Sequence, residues 1–502
     1  MSGSAEHGVA NRGLITASAI LASMIYALDW TIASVALPHM QGTFSATQDQ
    51  ISWVLTSYIV TSAIIMPSTG WLSDRFGRRR LFLVSIVGFT VMSFFCGAVD
   101  SLEAEILMRI LQGAFGAALI PVSQAIMLDI YPPEEHAKAT ALWGMGVVLG
   151  PVIGPTVGGW LTEHYTWRWV FYINIPVGLL AFLGCFLFLP DTERKPGRRF
   201  DWFGFLALAA AIGALQTMLD RGERLDWFNS VEIIVEAAIV GVGFYLFVIH
   251  ALTVRQPMVD LRLMRDRNYA LGLIIAFLYG VLTLAPLVLM PPLLKELKDY
   301  PVIDIGLLLS PRGAGLMIAM TVLGRTAQHF DPRVLIGGGF VLLAVSSWAM
   351  AGWNLDIGHW EVLWTGCVQG VGAGMIVVPL GAVTFATLDP SHRTEAASMW
   401  NLIRSAGSSI GISVGIFFLT RMGATSRAEL TEHVNPFNLM FELPQVAGRW
   451  STETLSDLAR LDLEITRQAM MVGYIDVFYM FAFAAAIALP AVFLLAKPAP
   501  RG

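Results

Sequence analysis

Long apolar runs recur along the whole chain, and short polar segments separate them. A transmembrane α-helix needs about 20 predominantly apolar residues to cross the hydrocarbon core, and each run reaches roughly that length. The pattern therefore predicts an all-α polytopic membrane protein with 14 transmembrane helices. The predicted spans cover residues 14–38, 51–71, 81–99, 105–128, 139–161, 169–189, 202–219, 231–253, 269–294, 305–323, 334–353, 362–388, 396–420 and 473–496.

The composition agrees with a protein that lies mostly in lipid. Charged residues make up 14% of the 502 residues, against roughly 25% in a soluble domain, and the mean hydropathy is +0.64. Cys96, Cys185 and Cys367 fall inside apolar runs and show no metal-ligand spacing. We therefore expect no disulfide framework, no metal site and no bound cofactor. Nothing in the net charge of −5 points to nucleic acid.

The basic residues predict which ends of the spans face the cytoplasm. Arginine and lysine collect in alternate connecting segments, for example at residues 75–80 and 194–199, whereas the short loops between carry few. By the positive-inside rule the basic segments are cytoplasmic, so both termini are predicted to be cytoplasmic as well. One long outer segment, at about residues 421–472, carries charge of both signs and has leucines at helical spacing.

Three motifs occur twice, and each pair joins one span to the eighth span after it. Such a repeat indicates a duplication with two spans inserted between the copies. We predict a six-helix bundle at residues 1–190, an inserted pair at 191–268 and a second six-helix bundle at 269–502, a layout typical of secondary transporters. The paired motifs are residues 70–80 with 324–333, Gln112-Gly113 with Gln369-Gly370, and the glycines of residues 146–158 with Gly407, Gly411 and Gly415.

The fifth predicted span has an unusual run of glycine and proline. Glycines at every fourth position form one bare ridge on a helix, against which another helix backbone can lie very close. We interpret this run as a hinge and a seal between the two bundles, with no role in carrying protons; the alternative is an ordinary close-packed membrane helix. The two prolines are expected to interrupt the helix. The residues concerned are Gly146, Gly150, Pro151, Gly154, Pro155, Gly158 and Gly159.

Among the charged residues inside predicted spans, Asp29 and Arg109 are the candidates for proton coupling. Asp29 lies near the middle of the first span, where an unpaired ionised carboxylate costs roughly 2.5 to 3.5 kcal/mol. It must face a cavity, be paired or carry a proton, and we predict a proton carrier; the alternative is a structural partner of a hydroxyl group or an arginine. Arg109, in the fourth span, could drive a proton off such an acid, or could instead be a staple that bonds backbone carbonyls.

A charged loop joins the inner ends of the second and third spans. We expect Asp74 to pair with an arginine or with a helix N-terminus of the other bundle in the outward-facing state, and to release it in the inward-facing state. Simple positive-inside charge explains the arginines of the loop but not Asp74. The residues assigned to this gating loop are Gly70, Asp74, Arg75, Gly77, Arg78 and Arg79.

Substrate recognition has a diffuse signature. Aromatic and amide side chains inside the spans suit an amphipathic cavity, although such residues are more often packed in the core or face lipid. The tentative cavity residues are Trp30, Tyr58, Gln112, Gln124, Trp143 and Arg404. No phosphate-binding loop of the type G-x-x-x-x-G-K-[ST] occurs in the sequence, so any transport is predicted to be secondary, and not the work of an enzyme.

Several of these motifs together resemble a known transporter family. Residues 70–80 are similar to the cytoplasmic loop signature of the major facilitator superfamily, residues 109–113 to its fourth-helix arginine motif, and residues 146–159 to its antiporter motif. Residues 28–38, 131–133 and 171–178 resemble the fourteen-span drug:proton antiporters of the EmrB/QacA type, and are closer to the EmrB side. The second copy of the loop departs from the signature, because Gln328 replaces its acidic residue.

The resemblance implies a function. Asp29 and Arg109 would couple proton movement to multidrug export of amphipathic small molecules, with the proton as the coupling ion. The protein would lie in the bacterial inner membrane and assemble with a periplasmic adaptor like EmrA and an outer-membrane channel like TolC. A proton-coupled symporter, a dedicated metabolite exporter and a non-transporting scaffold or sensor remain as alternatives.

Overall fold

The computed structural model describes residues 11–192, 199–434 and 454–496, without the side chains of residues 48, 49, 302 and 303. Helices account for nearly all of this part of the chain, as the hydropathy pattern predicts. They are α1 (Arg12–Phe44), α2 (Gln48–Ile65), α3 (Thr69–Phe76), α4 (Arg78–Ala98), α5 (Leu102–Gly116), α6 (Leu119–Ile130), α7 (His136–His164), α8 (Trp169–Tyr172), α9 (Asn174–Phe188), α10 (Trp202–Arg221), α11 (Val231–Thr253), α12 (Arg267–Pro292), α13 (Val302–Thr326), α14 (Pro332–Ala351), α15 (His359–Phe385), α16 (Arg393–Glu432) and α17 (Leu455–Phe493).

The predicted number of membrane spans is confirmed. Among the described residues, 14 helical segments are long and apolar enough to cross a membrane. Three of these spans consist of two helices each: α2 with α3, α5 with α6, and α8 with α9. Pro67, Pro121 and Pro176 lie in or directly after the three breaks. Proline has no N–H to donate and is best tolerated in the first turn of a helix, which explains why the second helix of each pair begins near it.

The duplicated motifs occupy equivalent places in two halves, the first built from α1 to α9 and the second from α12 to α17. A methyl group added to Gly113 of α5 would lie 2.5 Å from the backbone oxygen of Tyr58 in α2. The same addition at Gly370 of α15 would lie 2.0 Å from the backbone oxygen of Arg312 in α13. In both halves, therefore, the glycine of the Gln-Gly motif lets two helix backbones lie in direct contact: α5 on α2 in the first half, and α15 on α13 in the second.

The inserted helices α10 and α11 pack on each other and touch both halves. Thr56 of α2 donates a hydrogen bond to Asp220 at the end of α10, at 2.7 Å. Ser413 of α16 donates to the carbonyl of Leu219, at 2.6 Å. Much of the remaining surface of α11 is exposed and apolar, as expected of a helix that faces lipid.

The last two spans are longer than the sequence pattern predicts. Helices α16 and α17 have 40 and 39 residues. At 1.5 Å per residue each is about 60 Å long, twice the roughly 30 Å of a hydrocarbon core. The expected outer segment at 421–472 is therefore wrong in its bounds, because residues 421–432 and 455–472 continue these helices, and residues 435–453 lie outside the described part. Arg427 donates to Asp462 at 2.6 Å and ties the two extensions together.

An even number of spans places the two described ends of the chain on one face of the bundle, here called the terminal face. The loop between α3 and α4 lies on this face as well, since two spans, α1 and α2 with α3, separate it from the first described residues. The other face is called the opposite face. The sequence predicts that the terminal face is cytoplasmic.

Candidate functional site

A buried cluster of charged and amide side chains surrounds Asp29 in the first half. Arg109 Nη1 of α5 donates to Asp29 Oδ2. Asp29 Oδ1 accepts two further hydrogen bonds, from Gln112 Nε2 at 2.9 Å and from Asn174 Nδ2 at 2.8 Å. All four side chains are fully buried. Asp29 thus has three N–H donors and no acceptor around it, which is the arrangement that an ionised carboxylate requires.

Arg109 is held in place from several sides. Its Nε donates to the carbonyl of Val54 in α2 at 2.9 Å, and its Nη1 also donates to Gln112 Oε1 at 2.7 Å. The guanidinium carbon lies 4.2 Å from the centre of the Tyr58 ring, close enough for a cation–π interaction. Arginine suits this position because its planar fork can serve several acceptors at once. Arg109 thus bonds a backbone carbonyl, as the staple interpretation requires, and also pairs with the acid; its role in proton coupling stays a prediction.

Two of the predicted cavity residues belong to this cluster instead. Gln112 is fully buried between Asp29 and Arg109, and Tyr58 covers the guanidinium of Arg109 and is 1% exposed. Neither side chain lines an open cavity in this conformation. Gln112 joins the cluster because it lies three residues after Arg109 on α5, and side chains at this spacing share one face of a helix.

Sequence reasoning missed two members of the cluster. Asn174 opens α9, where its amide donates to Asp29 and also to Ser93 Oγ at 3.0 Å. Glu105 lies one helical turn before Arg109, is fully buried, and has no hydrogen-bond partner for either carboxylate oxygen among the described residues. The spacing of four between Glu105 and Arg109 was a usable signal for a shared helix face. No spacing rule connects Asn174 to Asp29.

The gating loop contributes an ion-pair cluster that joins the two halves at the terminal face. Arg78 donates to Asp129 Oδ2 at the end of α6, and to the carbonyl of Pro390 in the second half at 3.0 Å. Arg393, at the start of α16, donates to the other oxygen of Asp129 at 2.8 Å and to the carbonyl of Leu128 at 2.9 Å. Asp129 is a further residue that the sequence reasoning missed, because it directly follows the predicted fourth span.

The remaining loop residues have separate places. Gly77 is the one described glycine with a positive φ, 84°, and it separates α3 from α4. Arg79 donates to Asp191 at 3.2 Å and to the carbonyl of Phe186 at 2.6 Å, both within the first half. Asp74 is half-buried and Arg75 is exposed. The gating role of Asp74 stays a prediction, and the ion pair of Asp129 with Arg393 joins the halves at this face.

Gly70 marks the closest approach of the halves on this face. A methyl group added to Gly70 would lie 2.9 Å from Glu395 Cβ and 3.0 Å from its Cα. One residue earlier, Thr69 and Ser398 share a hydrogen bond between their hydroxyl groups. The structure therefore shows a conformation in which α3 and α16 are in contact at the terminal face.

The glycine ridge of α7 does not lie where the sequence placed it. Methyl groups added to Gly146, Gly150 and Gly154 would meet Ile20, the backbone nitrogen of Leu28 and Thr31 at 2.2, 2.6 and 2.3 Å. All three partners belong to α1, so the ridge packs inside the first half, and its interpretation as the seal between the bundles is wrong. Because α1 already covers this face of α7, the glycines of the ridge cannot also contact the second half. Gly158 also packs on α1, through Ile32, and Gly159 approaches Val35 at 4.0 Å.

The opposite side of α7 makes the contact between the halves. Gly144 lies near Met320, Val152 near Gly313 and Ala141 near Gly324, and these three partners belong to α13. The expected interruption at Pro151 and Pro155 is also wrong, because α7 is continuous from His136 to His164. Proline inside a membrane helix is tolerated where neighbouring groups satisfy the freed carbonyls.

The other tentative cavity residues have separate places, and one of them lies at the contact between the halves. Gln124 Oε1 accepts a hydrogen bond from Asn401 of the second half at 2.7 Å, and Trp143 donates to Ser123 at 2.9 Å. Trp30 is half-buried, and so is Arg404. Their role in substrate binding remains a prediction.

The fold and the buried charge cluster describe a multi-pass membrane transporter, and comparison with known proteins gives its family. The model of the Major Facilitator Superfamily matches residues 19–318 and 272–428. The chain therefore belongs to the Major Facilitator Superfamily, as the sequence motifs predicted.

The relatives and the solved structures agree with this assignment. The chain is 36% identical over 475 residues to the multidrug export protein EmrB of Haemophilus influenzae, covering 93% of this chain and 92% of that protein. It is 33% identical over 492 residues to the fatty acid resistance protein FarB of Neisseria gonorrhoeae, covering 97% of each. The proton:xylose symporter XylE shares the fold with a TM-score of 0.60 at 12% identity, covering 95% of this chain and 94% of that chain.

Proposed function

We propose that this protein is a proton-coupled exporter of amphipathic small molecules, working by alternating access between its two halves. The names of the relatives, a multidrug export protein and a fatty acid resistance protein, support export of such compounds. The observation that carries the proton coupling is the fully buried ion pair of Asp29 and Arg109. At that depth the carboxyl group is either protonated and neutral, or ionised and paired with a cation. A change between these two states binds or releases a proton.

The driving force is sufficient for secondary transport. One charge that moves down a potential of 100 mV supplies about 2.3 kcal/mol, and each factor of ten in substrate concentration requires about 1.4 kcal/mol. One or two protons per cycle therefore support a large gradient. A proton that binds Asp29 neutralises the carboxylate, so it weakens the attraction to Arg109 and changes the contact between α1 and α5.

Two linked assays test this proposal. A host that lacks its own exporters receives the wild-type protein or Asp29→Asn, and both strains are grown on a panel of amphipathic drugs. Purified protein in liposomes is then given a drug from the panel while an internal pH dye records proton movement. We expect resistance and drug-driven proton movement in the wild type, and loss of both in Asp29→Asn.

Other outcomes distinguish the alternatives. Unchanged efflux and proton flux in Asp29→Asn would refute the assignment of this acid. Accumulation of drug in the direction of the proton gradient would indicate a symporter, and a wild type that moves no tested compound would favour a scaffold or a sensor.

The assembly and the orientation are also part of the proposal. Resemblance to EmrB suggests an inner-membrane location with a periplasmic adaptor and an outer-membrane channel. Helices α16 and α17 extend beyond one bilayer thickness and are therefore the proposed contact for the adaptor. Co-purification of an EmrA-like adaptor with the wild type, and its loss when residues 424–462 are replaced by a short linker, would support this contact. Reporter fusions at both termini test the cytoplasmic orientation.

A further inference from the structure

Two arginines of the second half lie inside membrane-spanning helices, and one of them has a neighbour in the first half. Arg312 is in α13 and Arg404 is in α16; together they are called the basic pair. Tyr279 of α12 is an electrostatic neighbour of both, and Tyr26 of α1 is a neighbour of Arg404. The pair therefore borders a region to which both halves contribute side chains.

No acid balances the basic pair within the described residues. Arg312 Nη2 donates to the carbonyl of Thr283, and Arg404 Nη2 reaches Asn401 Oδ1 at 3.5 Å. Arg404 Nε is buried and has no described partner. The titratable groups close enough to act on either guanidinium are the two tyrosines. Arg109, by contrast, has the carboxylate of Asp29 beside it.

This imbalance requires an explanation, because a cation inside the membrane normally pairs with an acid or serves a substrate path. Both side chains are half-buried, so neither is sealed in the core as Arg109 is. The guanidinium of Arg404 lies 5.7 Å from the ring centre of Trp400, and its Nε has no described hydrogen-bond partner, so it can donate to a further acceptor. Guanidinium groups bind carboxylates with two parallel hydrogen bonds.

We propose that the basic pair binds the anionic head group of an amphipathic substrate, namely a carboxylate with an apolar tail. The tail would lie against the half-buried ring of Tyr26, since the rings of Tyr279 and Trp400 are buried. This inference rests on the proposed function as an exporter and names the substrate class. A carboxylate supplies the counter-charge that the protein lacks at this place.

A matched pair of probes tests the proposal. Equilibrium binding of radiolabelled dodecanoate and dodecyltrimethylammonium is measured with wild type in lipid nanodiscs, without a proton gradient. We expect Arg404→Gln and Arg312→Gln each to weaken dodecanoate binding about tenfold or more, the size of one charge-assisted hydrogen bond, and to leave the cation unaffected. Arg325→Gln, an exposed arginine at the end of α13, is the matched control and should bind dodecanoate like the wild type.

Three results would overturn the proposal. They are equal loss of both probes, unchanged dodecanoate binding in both variants, and preferred binding of the cation by the wild type. Arg404→Lys separates folding from recognition, since it keeps the charge and should retain part of the affinity. Because binding is measured without a gradient, failure of proton coupling does not alter the result. A wild type that exports drugs but does not bind dodecanoate refutes this inference alone.

An independent observation concerns Glu105 in the first turn of α5. Arg109 pairs with Asp29 and not with Glu105, although Glu105 lies on the same helix face one turn away. Arg109 Nη2 has no described hydrogen-bond partner, and neither do the two oxygens of Glu105. The charged or titratable groups that face Glu105 are Arg109, Asp29, Cys96 and Arg168. An unused donor and two unused acceptor atoms thus lie in the buried part of the same helix, one turn apart.

We infer that Glu105 is a second proton-binding residue of the coupling site. A fully buried carboxylate whose nearest donor is the weak thiol of Cys96 is too costly to persist in ionised form, so Glu105 holds its proton while Asp29 is ionised. When Arg109 turns Nη2 toward Glu105, the proton leaves the Glu105 oxygen and binds an oxygen of Asp29. The charge of the three groups is zero before and after this step. Glu105 begins α5 at the opposite face, so it lies between that face and Asp29.

Infrared spectroscopy tests the proton on Glu105 without any substrate. We expect the C=O stretching band of a protonated carboxylic acid in the wild type, its loss in Glu105→Gln, and its retention in Glu103→Gln, an exposed acid on the same turn. An unchanged band in Glu105→Gln would refute the assignment, even if Asp29 proves to couple protons.

A second measurement tests the exchange with Asp29. Drug-driven proton release is followed against pH in liposomes, where Glu105→Gln should shift the pH profile and Glu105→Asp should restore it in part. If Glu105→Gln has the same pH profile as the wild type, the proposed proton transfer from Glu105 to Asp29 is refuted.

Discussion

The ion pair of Asp29 and Arg109 gives the most direct test of the structure. Asp29→Asn keeps the shape of the side chain and removes its charge. The new amide has a single oxygen, which can accept hydrogen bonds on one side only. Its NH₂ group must then face the remaining N–H donors among Arg109, Gln112 and Asn174. Arg109 keeps its charge and loses its counter-ion.

The magnitude follows from burial. Both side chains have zero exposure, so water cannot compensate the charge that remains. Breaking a buried pair on one side costs about 3–5 kcal/mol of folding free energy, whereas removing both charges costs far less. We therefore expect Asp29→Asn and Arg109→Gln each to destabilise strongly. The double variant should be more stable than the sum of the two changes predicts, with a coupling energy of about 2–3 kcal/mol, at the upper end of measured cycles.

Thermal or denaturant unfolding of the four proteins in nanodiscs measures this cycle. The exposed pair of Arg427 and Asp462 provides the control, because its side chains are 51% and 60% exposed. An exposed pair contributes about 0.2–1 kcal/mol, so its cycle should be nearly additive. Strict additivity for Asp29 and Arg109 would refute the reasoning, since it would mean that the two charges are not paired in the membrane.

Three further changes have expected outcomes. Gly154→Leu should force α7 away from Thr31 of α1, destabilise by about 1–3 kcal/mol and abolish drug efflux; unaltered efflux would contradict the packing. Charge removal in Asp129→Asn should leave Arg393 held to the first half mainly by the Leu128 carbonyl and increase cysteine-labelling access at the terminal face, and equal access in variant and wild type would count against it. Gly77→Ala should cost about 1–3 kcal/mol because φ is 84°, while the control Gly337→Ala, with no atom within 4 Å, should be neutral in thermal melts.

Much of the fold could be predicted because its signals are local or periodic. The apolar runs predict the spans directly, since the length of a run must match the thickness of the bilayer. The repeat of Gln112-Gly113 as Gln369-Gly370 predicts equivalent packing, and both glycines do contact the second helix of their own half. The bounds of the last two helices were wrong because their extensions are polar and leave no hydropathy signal.

The candidate site could be predicted only in part. A charge inside an apolar run stands out, which is why Asp29 and Arg109 were found. Asn174 and Asp129 act through partners that are distant in sequence, and no periodicity brings such residues together. The glycine ridge was found as a close contact, but the spacing of glycines does not say which helix fills the ridge. Its partner is α1, which is known only from the packing.

The place of the ion pair explains how protonation can reach both sides of the contact between the halves. Asp29 lies on α1, whose backbone rests on the ridge of α7, and the other side of α7 meets α13. Arg109 belongs to α5, which is fixed to α2 through Val54 and Gly113, and α2 continues into α3, where Gly70 meets α16. The ion pair therefore connects two closely packed helix pairs, α1 with α7 and α5 with α2. Each of these helix pairs contacts the second half at a different place. Protonation of Asp29 weakens its ion pair with Arg109, which is the link between the two helix pairs. We therefore expect one protonation event to alter both contacts with the second half.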